Sequence, residues 1–204
     1  MPLPRQVLLV VTTFTLVAAT ACSDGNPLRE PGTNGATDTT IVVSAEPQPL
    51  FDDSDPSSFE LASHAFEHEG TIPPAYSRRD GDNVSPPLAW KGVPAETVEL
   101  ALVMTDPNAS GFVHWVIWGI DPFSPGLDTG QVPAEALQAT NDFGDIGYAG
   151  PAPPDGEPAH LYLFRLFALG ESAVDVEAGL DGYETIQLLE AKAIAIAELF
   201  AFYG

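Results

Sequence analysis

The sequence predicts a mainly β domain with one late helix. Three observations carry this reading. Val98–Thr105 (VELALVMT), Phe112–Ile120 (FVHWVIWGI) and Leu161–Leu169 (LYLFRLFAL) are short apolar runs rich in β-branched and aromatic residues, the composition of buried strands. Pro- and Gly-rich stretches lie between them, notably Asp121–Gly130 and Gly147–Pro158, and read as loops. A spacing of three and four appears only near the end, at Ile186, Leu189, Ala193, Ile196 and Phe200. Short strands, many loops and a single helical segment point to a β architecture with a helix appended.

Met1–Ala21 has the layout of an export signal. Arg5 supplies the charge, Val7–Ala19 the short apolar core, and Ala19-Thr20-Ala21 the small residues before a cut. The apolar run falls short of the ~20 residues that span a bilayer. Cys22 follows directly and is the only cysteine. Small residues before a Cys look like the site where bacteria attach lipid and cleave, so residues 1–21 are expected to be a signal peptide and Cys22 a lipidated N-terminus. Ordinary cleavage, leaving Cys22 as a free thiol on a secreted protein, is the alternative. A lone cysteine also excludes an intramolecular disulfide, so the domain depends on a packed core.

Ser23–Pro56 is rich in Gly, Pro, Thr, Asn and Asp, with one apolar patch at Ile41–Val43. Residues 22–57 therefore read as the anchor and a flexible tether, with a reach of about 30–35 Å. An arm packed on the domain is the alternative. From residue 58 the pattern changes. Phe59, Leu61, Ser63, Ala65 and Glu67 share one side of a period-2 pattern, a plausible first strand. Ile72-Pro73-Pro74 and Asp80-Gly81-Asp82 break it. After the three apolar strands, Asp181-Gly182 is a helix start signal, and Tyr183–Phe200 reads as an amphipathic C-terminal helix. Residues 58–204 form the expected domain.

The chain has 29 acidic and 7 basic residues, a formal charge of −22. That excludes nucleic acid as a partner, which requires a basic face, and electrostatic docking on anionic lipid. A lipid on Cys22 is then the expected membrane attachment.

Candidate functional residues come from three places. Asp106-Pro107-Asn108 ends the strand Val98–Thr105, where a Pro-fixed turn can aim an acid into a cleft. His114 lies inside an apolar strand, sharing a period-2 face with Phe112, Val116 and Trp118. His160 and Tyr162 are two apart at the start of another strand and point the same way. Together, Asp106, His114, His160 and Tyr162 could build a small polar pocket for an oxyanion. Equally, each alone reads as a structural turn, core or strand-entry residue. His64 and His68 do not form a metal site, because i and i+4 on a strand lie about 13 Å apart and the HExxH pattern is absent. Ser85, in Asn83-Val84-Ser85-Pro86-Pro87, reads as a turn residue rather than a nucleophile. There is no Gly-x-Ser-x-Gly elbow and no P-loop. No metal or cofactor is expected.

From Phe59 to about Tyr203 the chain resembles the phosphatidylethanolamine-binding protein family, in its bacterial and archaeal Raf-kinase-inhibitor-like branch. The resemblance rests on three blocks in family order. The first runs from Ala65-Phe66 through Ile72-Pro73, Tyr76, Asp80–Trp90 and Gly92-Val93-Pro94. The second is Asp106-Pro107-Asn108-Ala109 with His114-Trp115-Val116. The third is Asn141-Asp142-Phe143-Gly144, Gly147-Tyr148, Gly150-Pro151, Pro153-Pro154, Gly156, His160, Tyr162 and Ala168-Leu169. The resemblance implies a β-sandwich with peripheral helices and a small pocket that accepts phosphate, phosphoryl headgroups or similar anions. It assigns ligand binding to Asp106, His114, Gly150, Pro151, His160 and Tyr162. Asp106 would repel an anion and is expected instead to orient a His and favour its protonated form. The chain departs from the pattern at Asn108, Ser110 and Leu161, and carries an extra residue at Arg78-Arg79.

The expected function is non-enzymatic: a domain binding a small anion or phosphoryl group, held outside the cytoplasm. An inhibitor or protein-interaction module, for example against a protease, is the alternative. A hydrolase using Asp106 and His114 is a third reading, and it lacks a convincing nucleophile or metal set.

Overall fold

A computed structural model describes residues 49–51 and 54–204. The expected leader, Cys22 and nearly all of the tether lie outside the described residues. The elements in chain order are β1 (Glu60–Ser63), β2 (Leu88–Lys91), β3 (Glu99–Asp106), β4 (Phe112–Ile120), β5 (Gly126–Leu127), β6 (Leu137–Gln138), β7 (His160–Leu169), α1 (Gly182–Glu190) and β8 (Ala193–Tyr203). Two antiparallel sheets form, β1-β2-β5 and β6-β4-β3-β7-β8. The fold is mainly β, as the sequence predicts.

The five-stranded sheet is buried on both faces, which explains why its central strands are apolar runs rather than alternating ones. Its inner face packs against the smaller sheet. Leu100, Leu102 and Met104 of β3, Trp115 and Ile117 of β4, and Phe164 and Leu166 of β7 meet Leu61, Leu88 and Trp90 there. Its outer face carries Ala101, Val103, Val113, Val116, Trp118, Phe167 and Leu169, covered by Ile186 and Leu189 of α1. Asp181 starts α1 by accepting from the Tyr183 and Glu184 amides, both at 3.0 Å.

Three expectations about the elements are corrected. The C-terminal helix stops at Glu190, and Ala193–Tyr203 is a strand paired along the whole of β7. Ala197, Leu199, Ala201 and Tyr203 are buried in alternation, a period of two that the mixed spacing in the sequence concealed. The face shared by His114 also differs. Thr105 pairs with Val113 but Met104 with Trp115, so His114 is the extra residue of a β-bulge. The bulge sends Trp115 to the inner core and Val116 and Trp118 to the outer one. β1 ends at Ser63 rather than continuing to Glu67.

The last residues of the expected tether touch the domain. Leu50 and Phe51 are half-buried, and the Lys91 ammonium sits 5.6 Å from the Phe51 ring centre.

Candidate functional site

Asp106 ends β3 and His160 and Tyr162 begin β7, all on the inner face at one end of the sheet. The His114 bulge brings a fourth polar group to the same end. Its imidazole meets the Tyr162 ring edge-on, with centres 5.2 Å apart. The structure thus brings together the four residues that the sequence grouped. They line a pocket of about 160 Å³ with Ala109, Phe112, Phe143, Ala152, Pro153 and Pro154.

The two histidines have opposite characters. His160 lies 2.7 Å from Asp106 Oδ2 through Nδ1 and 3.1 Å from Glu157 Oε2 through Nε2. The Asp106 hydrogen bond raises its pKa above the ordinary imidazole value, burial opposes this, and Glu157 adds to the rise. As an imidazolium, His160 donates from both nitrogens. Asp106 is therefore the residue that orients a histidine, and that histidine is His160. Its other oxygen accepts from the Ala109 amide at 3.0 Å, closing the turn at Pro107–Ala109.

His114 is buried, and burial lowers its pKa despite the Ala149 carbonyl and the nearby Asp106 charge. Its Nδ1 lies 2.7 Å from the Ala149 oxygen. A carbonyl only accepts, so Nδ1 carries the proton and Nε2 of the neutral ring presents a lone pair.

The Tyr162 hydroxyl is fully buried and makes no hydrogen bond of good geometry among the described residues, although the Ala152 backbone and the Asp106 carboxylate lie beside it. Burial first, then the Asp106 charge, push its pKa upward, so it is a phenol and a donor. An unpaired buried hydroxyl costs roughly 1–3 kcal/mol. A molecule in the pocket would remove that cost.

Gly150 and Pro151, which the resemblance assigns to ligand binding, do not line the pocket. Gly150 lies beside His114, and both residues are tied to the neighbouring loops. The Gly150 amide donates to Asn83 Oδ1 at 2.8 Å, and the Pro151 oxygen accepts from Ser77 Oγ at 2.9 Å and the Arg78 amide at 3.2 Å. A Cβ on Gly150 would lie 2.0 Å from the Tyr76 carbonyl oxygen. Gly150→Ala should therefore cost about 3 kcal/mol of stability through overpacking. Urea denaturation would read this, and an unchanged midpoint would contradict the close approach.

Several site residues had no separate signal in the sequence. Phe112 and Phe143 meet edge-to-face at the pocket, with centres 4.8 Å apart. Arg78 lies 4.6 Å from the Phe143 ring centre, and Arg79 donates to the Pro153 oxygen at 2.7 Å and pairs with Asp155 at 3.1 Å. The extra residue of the Arg78-Arg79 segment thus falls where two cations brace opposite walls. Asn108, the departure from the family carboxylate, accepts from the Leu161 amide at 2.9 Å and pins the start of β7.

A larger open trough of about 1040 Å³ runs along β1 between Pro49–Phe51 and Glu198-Leu199. It contains His64 and His68, but His68 packs on the Phe200 ring, with centres 4.2 Å apart. Polar groups converge in the smaller pocket instead. Ser85 is buried, and its carbonyl accepts from the Gly130 amide; it is not part of the pocket lining. Among the described residues no group of three or more His, Cys, Asp or Glu side chains could hold a metal ion, and no helix is long and apolar enough to cross a membrane.

Comparison with known proteins agrees with the geometry. Residues 62–204 match the model of the family described as phosphatidylethanolamine-binding protein. A UPF0098 protein of Methanothermobacter thermautotrophicus is 43% identical over 150 residues, covering 70% of this chain and 97% of its own length. A Mycobacterium tuberculosis protein named "Putative lipoprotein LppC" is 40% identical over 141 residues, covering 68% of this chain and 69% of its own. The crystal structure of Escherichia coli YbcL, titled a new member of the mammalian PEBP family, superposes with a TM-score of 0.68 at 30% identity, covering 71% of this chain and 97% of that one.

Proposed function

Because the chain belongs to the phosphatidylethanolamine-binding protein family, we propose that its pocket binds a small oxyanion, of the size of a phosphoryl group, without acting on it. One observation carries this reading: a buried Tyr162 hydroxyl that makes no hydrogen bond of good geometry among the described residues, in a pocket next to a histidine pair. Size supports it. A volume of about 160 Å³ is room enough for a small oxyanion such as a phosphoryl group. A non-enzymatic role is supported by the commitments of the polar groups. Asp106 is turned to His160 and to Ala109, so it is not free to act as a base on His114. The pocket lining contains no serine, threonine or cysteine.

The same proposal places the domain outside the cytoplasm, anchored through an acylated Cys22. The layout of residues 1–22 supports the anchor, as does the name of the mycobacterial relative. The strongly acidic chain leaves the lipid, rather than a basic surface, to hold it at a membrane.

His114→Ala should abolish binding of inorganic phosphate while leaving the circular dichroism spectrum unchanged. NMR titration of both proteins with phosphate tests this. Identical shifts in the two would sink the assignment of His114 to the pocket.

A further inference from the structure

One half of the β8 edge carries backbone groups that no described residue meets. β8 pairs with β7 on one side, in unbroken register from His160↔Tyr203 to Ala168↔Ala195. On its other side the Glu69 amide donates to the Phe200 carbonyl and the Ile72 amide to the Phe202 carbonyl, each at 2.8 Å. The Phe202 amide donates to the Gly70 carbonyl at 2.8 Å. Backbone groups along a strand alternate in direction, so Ile196 and Glu198 turn theirs the same way as Phe200 and Phe202. The segment Glu69–Ile72 stops short of them, and their amides and carbonyls have no backbone partner among the described residues. The regular edge ends at Ala195, because Ile194 is the unmatched residue of a bulge.

β1 presents a second open edge. The Trp90 amide donates to the Pro125 carbonyl at 3.0 Å, on the β5 side of β2, so Ala89 and Lys91 bond to their partners Ala62 and Glu60. Leu61 and Ser63 then turn their backbone groups away from β2. The trough of about 1040 Å³ lies between these two edges. Leu61, Phe66 and Leu199 are buried and give it an apolar floor. Glu60, Glu67 and Glu198 also line it, and no Lys or Arg does. Lys91 pairs with Glu60 at 3.3 Å, while Glu67 and Glu198 are exposed.

We infer that the trough is a docking site for an extended segment of a partner protein, one that alternates apolar and basic residues and joins the β8 edge as an added strand. Backbone pairing with Ile196 and Glu198 continues the ladder that Glu69–Ile72 begins. Successive side chains of the added strand point to opposite faces, so one set meets the apolar floor and the other meets Glu67 and Glu198. Exposed edges are ordinarily blunted by Lys or Pro. Ala195–Ala197 contains neither, and Ile194 and Ile196 are 51% and 48% exposed. Charge selects the occupant. A second copy of this chain brings a formal charge of −22 against the same charge, whereas a basic segment is drawn to the acidic rim. The site is separate from the small pocket and does not depend on anion binding there.

Amide NMR titration of the full chain with three capped octapeptides tests the inference: alternating Lys-Val, alternating Lys-Pro of the same charge, and alternating Glu-Val. The Lys-Val peptide should give saturable shifts at Phe59 to Glu69 and at Ala195 to Leu199. It should bind at least tenfold more tightly than the Lys-Pro peptide, which lacks half of the backbone donors. The Glu-Val peptide should not bind. Glu198→Lys should weaken the Lys-Val peptide roughly threefold and leave the circular dichroism spectrum unchanged. Equal binding of the Lys-Val and Lys-Pro peptides would reduce the effect to charge and overturn the inference. So would a Glu198→Lys protein that binds as the wild type does. Shifts at Ala195 to Glu198 that grow with protein concentration before any peptide is added would assign the edge to a second copy, and that too would overturn it.

Discussion

Tyr162→Phe should abolish or severely weaken phosphate binding and leave the protein as stable as before, or slightly more so. The two effects have opposite signs because the hydroxyl is fully buried and makes no hydrogen bond of good geometry among the described residues of the free protein. Removing it relieves a desolvation cost and breaks no hydrogen bond in the native state, so a gain of up to about 1 kcal/mol is expected. In the complex the same hydroxyl would donate to a charged oxygen, a bond worth about 1.5–3 kcal/mol, or roughly 10- to 100-fold in affinity. A tyrosine serving only the core would behave in the other direction, losing stability on truncation and leaving affinity alone. Urea denaturation and a phosphate titration on the same preparation separate the cases.

Asp106→Ala has the larger cost in stability. Asp106 and His160 form a buried pair, with side chains 4% and 8% exposed. Removing the carboxylate leaves a buried imidazolium with only Glu157, and removes the acceptor of the Ala109 amide. Breaking one partner out of such a pair costs roughly 3–5 kcal/mol. The effect depends on pH with a definite sign. His160 has a folded pKa above its ordinary value of 6.5. Its contribution is therefore fully present below about pH 6.5 and is lost as pH rises through the folded value. The gap between wild type and variant should be widest near pH 5.5 and should narrow toward pH 9. A constant gap across that range would mean that the pair contributes through packing and not through charge.

The four central residues of the pocket were legible in the sequence for a simple reason. Asp106, His160 and Tyr162 sit at ends of strands that are strongly patterned, so their direction follows from a period of two. His114 lies beside them in the fold, yet a period of two puts Val116 and Trp118 on its face, because a β-bulge leaves no mark in a single apolar run. The strand Phe112–Ile120 has the bounds that the sequence predicts. β8 was hidden because Ile186 and Leu189 set a helical rhythm that Ala193, Ile196 and Phe200 appear to continue. The loop residues were least legible. Glu157 reaches His160, and Arg79 reaches Pro153 across 74 positions of sequence, and no local pattern encodes contacts of that kind. Gly150 and Pro151 carry a family signature, and here they approach Tyr76 and Ser77 closely, with Gly150 also beside the His114 imidazole.

The most direct measurement is an amide NMR titration of the protein with inorganic phosphate. If the pocket is an oxyanion site, saturable shifts appear at Ala109, Phe112, His114, Phe143, Ala149, Gly150, Ala152 and His160 to Tyr162, and they are absent from the trough along β1. Shifts that fail to saturate, or that gather at Phe59 to His68 instead, would contradict it.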